Sequence, residues 1–202
     1  MKLYDLDVSG NCYKVRLFVA LAGIPLDLQP VDLMKQEHHS AVFTDLNPFQ
    51  EVPVLIDGDS VIRDSQAILV YLAGGLPDRR WWPDNHAAQA EIVAWLSVAA
   101  SEIRNGPNAA RLIKKFGVDL DLPTAIRWSE KVLPILNKHL EAHEWLALGR
   151  PTIAECAIFP SLSVAHEGGI DVTAFPALLD WMTRVTQLPG FIPMPNMLML
   201  PQ

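Results

Sequence analysis

Cysteine is nearly absent: 202 residues contain only Cys12 and Cys156, far apart and each alone. Neither a disulfide framework nor a zinc site is indicated, no metal is expected, and a reducing compartment suits the chain best. Long apolar runs are missing too. Without a stretch of about 18 apolar residues, no membrane-spanning helix is expected. The first residues, Met1-Lys2-Leu3-Tyr4-Asp5, enter a strand-like run without the apolar core of a signal peptide, so a cytoplasmic location is expected. Positive charge is in short supply. Sixteen Lys and Arg stand against 23 Asp and Glu, a net charge of −7, and the bases are scattered rather than striped, which argues against a nucleic-acid partner. Hydrophobic residues, at 50%, are plentiful enough to pack one large domain or two small ones.

The most informative stretch is 47–72, NPFQEVPVLIDGDSVIRDSQAILVYL. Val52-Pro53-Val54-Leu55-Ile56 reads as a strand, Asp57-Gly58-Asp59 as a hairpin turn, and Ser60-Val61-Ile62 as the return. Asp64-Ser65 then caps a helix whose apolar positions Ala67, Ile68, Tyr71 and Leu72 recur at helical spacing. Pro53 cannot donate to a sheet ladder, so the head of this strand is turned to another use. An X-Pro bond is also the usual site of a cis peptide, which would direct the carbonyl and amide of Val52 toward a cleft.

Val52-Pro53, Asp57-Gly58-Asp59, Asp64-Ser65, Ala67-Ile68 and Tyr71-Leu72, in that order, resemble the thioredoxin-fold half of the glutathione transferase family. The preceding residues agree with it. Lys2-Leu3-Tyr4 is strand-like, a helix starts near Asn11 with Val15, Leu17, Phe18, Leu21 and Ala22 on one face, and Gly23 closes it. Residues 25–33 alternate as a second strand, parallel to the first, and residues 35–44 form a polar bridge. The resemblance implies an α/β thioredoxin-like domain over 1–76, a linker over 77–85 and an all-α helical-bundle domain over 86–202. Helical periods occupy 87–110, 124–140, 152–164 and 176–188. Thr152-Ile153-Ala154-Glu155 is a capping box, with Glu where the family usually carries Asp. The closing Phe175-Pro176, Trp181 and Pro189-Gly190-Phe191 also match the family.

The resemblance further implies an enzyme that stabilises the thiolate of glutathione, its co-substrate, and presents it to a small electrophile. A thiol with a pKa near 8.5 is mostly protonated at neutral pH, so a fixed donor to sulfur is needed. The loop Val8-Ser9-Gly10-Asn11-Cys12 resembles the serine loops of the theta and delta classes, with Asn11 as in the nu class. Ser9 is the first candidate donor and Asn11 the second; each is equally suited to capping the helix. Cys12 reads either as a small buried residue or as a nucleophile for thiol-disulfide exchange. The backbone of Val52 beside Pro53, Asp64 and Ser65 are the implied glutathione contacts, with His39, or alternatively Lys35, for the glycine carboxylate. Gln50 and Glu51 depart from the family, which commonly has glycine and a neutral or basic residue there. The acceptor pocket is expected at Val8 and, beside a break at Gly106-Pro107, at Asn105, Asn108 and Arg111. Trp81 and Trp82 read as linker packing and Tyr4 as core. A homodimer is implied, and a non-catalytic binding module of the same fold is the reading outside enzymology.

Overall fold

The computed structural model describes residues 1–200. Strand β1 (Lys2–Asp5) lies parallel to β2 (Asp27–Pro30) and antiparallel to β3 (Val54–Asp57), which forms a hairpin with β4 (Ser60–Arg63); the sheet order is β2-β1-β3-β4. Helix α1 (Gly10–Ala22) makes the crossover between the parallel strands, as short parallel pairs require. It stops where Gly23 adopts a left-handed φ of 66° and its amide, with that of Ile24, returns to Ala20 and Val19. The second strand is shorter than the alternation of residues 25–33 implies, because every residue of this edge strand is exposed and the pairing with β1 spans only four positions. Residues Glu37–His39 form a short 3₁₀ turn before α2 (Ala41–Leu46). Helix α3 (Ser65–Gly74) follows the hairpin, and no helix or strand intervenes before α4 (His86–Val98).

The helical half consists of α4, α5 (Ala109–Phe116), α6 (Leu122–Ala142), α7 (Ile153–Ser163) and α8 (Pro176–Thr186). Helix α7 is buried along its whole length and packs against α1, so one apolar core joins the sheet layer to the bundle. Trp81 seals the joint, buried edge-on against Phe18 of α1 at 5.4 Å. The helical period over 87–110 is broken at Gly106-Pro107 as its sequence predicts, and it changes pitch before the break. After Val98 the chain widens into a π-helical segment, Ala99–Asn108, broken at Gly106 (φ −98°, ψ −106°), because Pro107 brings no amide and crowds the preceding turn. Glycine suits the break, since a Cβ on residue 106 would stand 3.0 Å from the Ser129 amide nitrogen of α6, which would have to give way by a few tenths of an ångström.

The capping box at α7 forms as its sequence predicts: Thr152 Oγ1 accepts from the Ala154 amide, and Glu155 accepts from the amides of Thr152 (2.7 Å) and Leu146 (2.9 Å). The longer reach of Glu thus lets one carboxylate cap the helix and anchor the preceding loop. Burial pushes its carboxyl up to about 7, while the Thr152 and Leu146 amides pull the other way. The folded-state value lies above the unfolded one, so the associated stability is fully present below the unfolded pKa and is lost as pH rises through about 7. Denaturant melts should show the native chain losing up to about 3 kcal/mol across that window relative to Glu155→Gln, whose side chain does not titrate. Identical pH profiles for the two proteins would contradict it.

Candidate functional site

The loop between β1 and α1 is fixed before any ligand arrives. The Ser9 amide donates to the Leu6 carbonyl at 2.9 Å, and the Leu6 amide donates to Cys12 Sγ at 3.4 Å. Arg16, buried one turn further along α1, donates to the Asp5 carboxylate (2.9 Å), the Asp7 carboxylate (3.0 Å) and the Asp7 carbonyl (2.6 Å). Ser9 caps α1 by accepting from the Cys12 amide at 3.3 Å. That bond uses a lone pair and leaves the hydroxyl hydrogen without an acceptor among the described residues. Capping and donation to sulfur are therefore compatible in Ser9. A hydroxyl that already accepts a hydrogen bond is a better donor, and the helix N-terminus favours negative charge beside it.

Asn11, Asn47, Val52, Pro53, Asp64 and Ser65 line one cleft of about 220 Å³, together with Phe49, Glu51 and Arg63. The Val52–Pro53 peptide is cis. Pro53 precedes β3 rather than heading it, and neither the amide nor the carbonyl of Val52 finds a hydrogen-bond partner among the described residues. Two unpaired backbone groups at a cleft wall can receive an extended peptide in strand fashion. Asp64 holds a left-handed φ of 73° and caps α3 with Oδ1, which accepts from the Gln66 and Ala67 amides, leaving Oδ2 free. Ser65 is buried beside it, its hydroxyl donating to Gln66 Oε1. The open carboxylate oxygen suits an ammonium, and the Ser65 amide at the helix start suits a carboxylate, to which the Ser65 hydroxyl would donate only after turning from Gln66.

Of the candidates from sequence, the structure gathers Asn11, Val52, Pro53, Asp64 and Ser65 into this cleft; Ser9 stands two residues from Asn11, half-buried, outside its lining. Lys35 and His39 are not brought there. The Lys35 side chain is exposed and paired with Asp32 at 3.2 Å, and exposed His39 lies 2.6 Å from Gln50 Oε1. Gln50 itself adopts a φ of 57°, which accounts for the glycine that relatives commonly carry at that place. Tyr4 is half-buried and packs edge-on against Phe43, as a core residue does.

Burial decides between the two readings of Cys12, and the reading of Arg111 needs correction. Cys12 has no exposed surface, and burial pushes its thiol up to about 12, against the lowering effect of Ser9, so it is a packing residue and not a nucleophile. Arg111 does not face an acceptor pocket. It is buried, with its Nε donating to Glu167 (2.6 Å) and its Nη2 to the Val8 carbonyl (3.0 Å). Asn105 is exposed and Asn108 half-buried, and neither lines the cleft.

Sequence reasoning missed Asn47, Phe49 and Arg63 as lining residues. Arg63 stacks over the Phe49 ring at 4.4 Å, a pairing across the hairpin entrance that no local motif announces. It also missed Lys14, one turn beyond Asn11 on α1, which is buried without an ion-pair partner among the described residues. Burial lowers the Lys14 ammonium to about 8; the Asp64 charge opposes that and the Arg104 charge adds to it. Its helical spacing from Asn11 was the available signal.

Comparisons with known proteins bear on the family and the fold. Residues 1–74 match the model for the glutathione S-transferase N-terminal domain and residues 122–189 that for the C-terminal domain. Glutathione S-transferase 1 of Dianthus caryophyllus is 32% identical over 184 residues, covering 88% of this chain and 83% of its own. A possible glutathione S-transferase from Rhodopseudomonas palustris superposes with a TM-score of 0.86 at 33% identity, covering 96% of this chain and 97% of that one. A glutathione transferase homologue from Drosophila mojavensis with bound glutathione superposes at 0.83 with 27% identity, over 93% of this chain and 88% of that one. The chain belongs to the glutathione S-transferase family, with the thioredoxin-like domain and helical bundle of that fold. Most of the similar proteins are named transferases, but a maleylpyruvate isomerase of Ralstonia sp is also 29% identical over 192 residues, 88% of each chain, so glutathione chemistry follows only at the general level of the family.

Since both thiols are buried, a thiol reagent added to the native chain at neutral pH should label neither Cys12 nor Cys156, and both should react once denaturant is added. Rapid labelling of Cys12 in the folded protein would reopen the thiol-disulfide reading.

Proposed function

We propose that the chain conjugates glutathione to a small electrophile, with Ser9 donating to the sulfur and Asn11 as a second donor. One observation carries the reading: the free amide and carbonyl of Val52 share a cleft with Asn11, Asp64 and Ser65, while the Ser9 hydroxyl keeps an uncommitted hydrogen at the adjacent helix start. Glutathione would pair its cysteinyl backbone with Val52. Its γ-glutamyl carboxylate would meet the Ser65 amide, the first amide of α3 left without a partner among the described residues, and its ammonium Asp64 Oδ2. Release of the thiol proton to solvent leaves a thiolate that accepts from Ser9. The sulfur lone pair then forms the C–S bond, and the leaving group departs with the electron pair of the bond it breaks. Lowering the thiol pKa by one unit requires about 1.4 kcal/mol of preference for the anion, the scale of one charge-assisted hydrogen bond. The protein is proposed to act in the cytoplasm as a homodimer, on the pattern of its family.

Ultraviolet titration of the thiolate band should show bound glutathione ionising below its free value. Ser9→Ala should return the pKa most of the way and reduce kcat by about ten- to a hundredfold. Asn11→Ala should do less. Binding without ionisation in the native chain would sink the transferase reading, and absence of binding at millimolar glutathione would favour a non-catalytic module.

Charge offers an independent check. The cleft carries Glu51 and Asp64 against Arg63, and glutathione is itself net negative. Removing the exposed carboxylate by Glu51→Gln should tighten glutathione about two- to threefold at low salt, with the gain fading as salt rises. An unchanged dissociation constant would show that Glu51 points away from the peptide.

A further inference from the structure

The peptide group joining Val8 to Ser9 is held at both ends. Its amide donates to Leu6, and its carbonyl accepts from Arg111, which comes from α5 in the other half of the molecule. Arg111 is only 2% exposed, and its Nε is committed to Glu167, whose second oxygen takes the Lys115 ammonium. Glu167 sits in the 3₁₀ turn Ala165–Gly168 after α7. That turn lies against the α5 backbone so closely that a Cβ on Gly168 would stand 2.6 Å from the Arg111 amide. Burial alone would raise the Glu167 carboxyl, but the Lys115 and Arg111 hydrogen bonds hold it below the ordinary range, keeping the partner of Arg111 ionised. The guanidinium therefore has little freedom to swing away.

We infer that Arg111, braced by Glu167, is a positioning residue: it fixes the plane of the Val8–Ser9 peptide and so aims the Ser9 hydroxyl at the sulfur of glutathione. Arg16 performs the complementary task from within the thioredoxin-like half, holding the Asp7 carbonyl at 2.6 Å. The two guanidiniums, one from each half of the molecule, hold consecutive carbonyls. Loop geometry at the sulfur thus depends on the register between the two halves, and the helical half contributes to thiol activation without touching the thiol. A hydroxyl displaced by about 1 Å loses most of its hydrogen bond to the anion, so the effect falls on ionisation rather than on peptide binding. The inference rests on Ser9 as the sulfur donor.

The test compares the native chain with Arg111→Met, Ser9→Ala and the double variant. Arg111→Met should raise the pKa of bound glutathione part-way to its free value and lower kcat about tenfold, with KM for glutathione changed less than about twofold, because Val52, Asp64 and Ser65 are untouched. In the Ser9→Ala background the same substitution should add no further shift, since it acts through the missing hydroxyl. A merely structural role would lower the melting temperature and leave the thiol pKa where it was, which overturns the inference. So would an additive shift in the double variant, which would mean direct electrostatic action on the sulfur. If Arg111→Met does not fold, Glu167→Gln carries the test, with a smaller rise in thiol pKa expected and an unchanged value overturning the inference. A shift with Ser9→Ala but none with Arg111→Met refutes only the positioning role; no shift with Ser9→Ala refutes the serine reading beneath it.

Discussion

The buried contact between Arg16 and the Asp5–Asp7 loop is the constraint on which the site depends. A buried guanidinium is tolerated only if its donors are paired, and here they go to Asp5, Asp7 and the Asp7 carbonyl. Removing one partner of such a pair costs about 3–5 kcal/mol, so the loop has no inexpensive alternative conformation. Asp5 shows the tension. Burial pushes its carboxyl above the ordinary value against the pull of Arg16, and its second oxygen is left unpaired. With the end of β1 and the first turns of α1 locked together, Ser9 and Asn11 are delivered to fixed places at a helix N-terminus, where positive potential and free donors coincide.

Elsewhere in the cleft a few polar groups find no partner among the described residues where pairing would have been easy. Val52 makes no ladder bond although β3 begins two residues later, and Asp64 spends one oxygen on capping while the other stays open. The non-glycine residues Gln50 and Asp64 hold positive φ on either side of this segment, a conformation that costs about 1–3 kcal/mol each and survives where the surroundings enforce it. Two strained residues and the open groups of Val52 and Asp64 thus border one 220 Å³ cleft, while the helical half carries most of the buried apolar core. The division of labour is physical: the bundle supplies rigidity, and the thioredoxin-like half supplies ligand-facing backbone.

The bundle also reaches into the other half. Arg111 reads from sequence as a cation on a helix next to a break, and such a residue is ordinarily solvated. Its burial follows from Gly168, whose missing side chain lets the Glu167 turn close onto α5. Nothing near Arg111 in the chain announces a partner 56 positions later.

The difference between what was legible and what was not follows the range of the interactions. Short-range chemistry was readable: the Asp-Gly hairpin, the Asp64 and Thr152 caps, the Gly23 stop, the break at Gly106-Pro107 and the Val52-Pro53 segment depend on residues within about one helical turn. For the same reason Asn11, Asp64, Ser65 and Val52 could be named as a site, because each sits at an element end that its own neighbours define. Where Lys35 and His39 point was not legible because the polar bridge holding them carries no periodicity, and contacts with Asp32 and Gln50 decided that. Phe49, Arg63 and Lys14 were illegible because a cleft wall is assembled from segments that meet only in three dimensions. By itself the sequence determined the elements, their caps and the class of ligand-facing backbone. The tertiary structure alone decided that Cys12 is sealed away from solvent, that Arg111 grips Val8, and which polar groups were left free, since burial and pairing are properties of the packed chain.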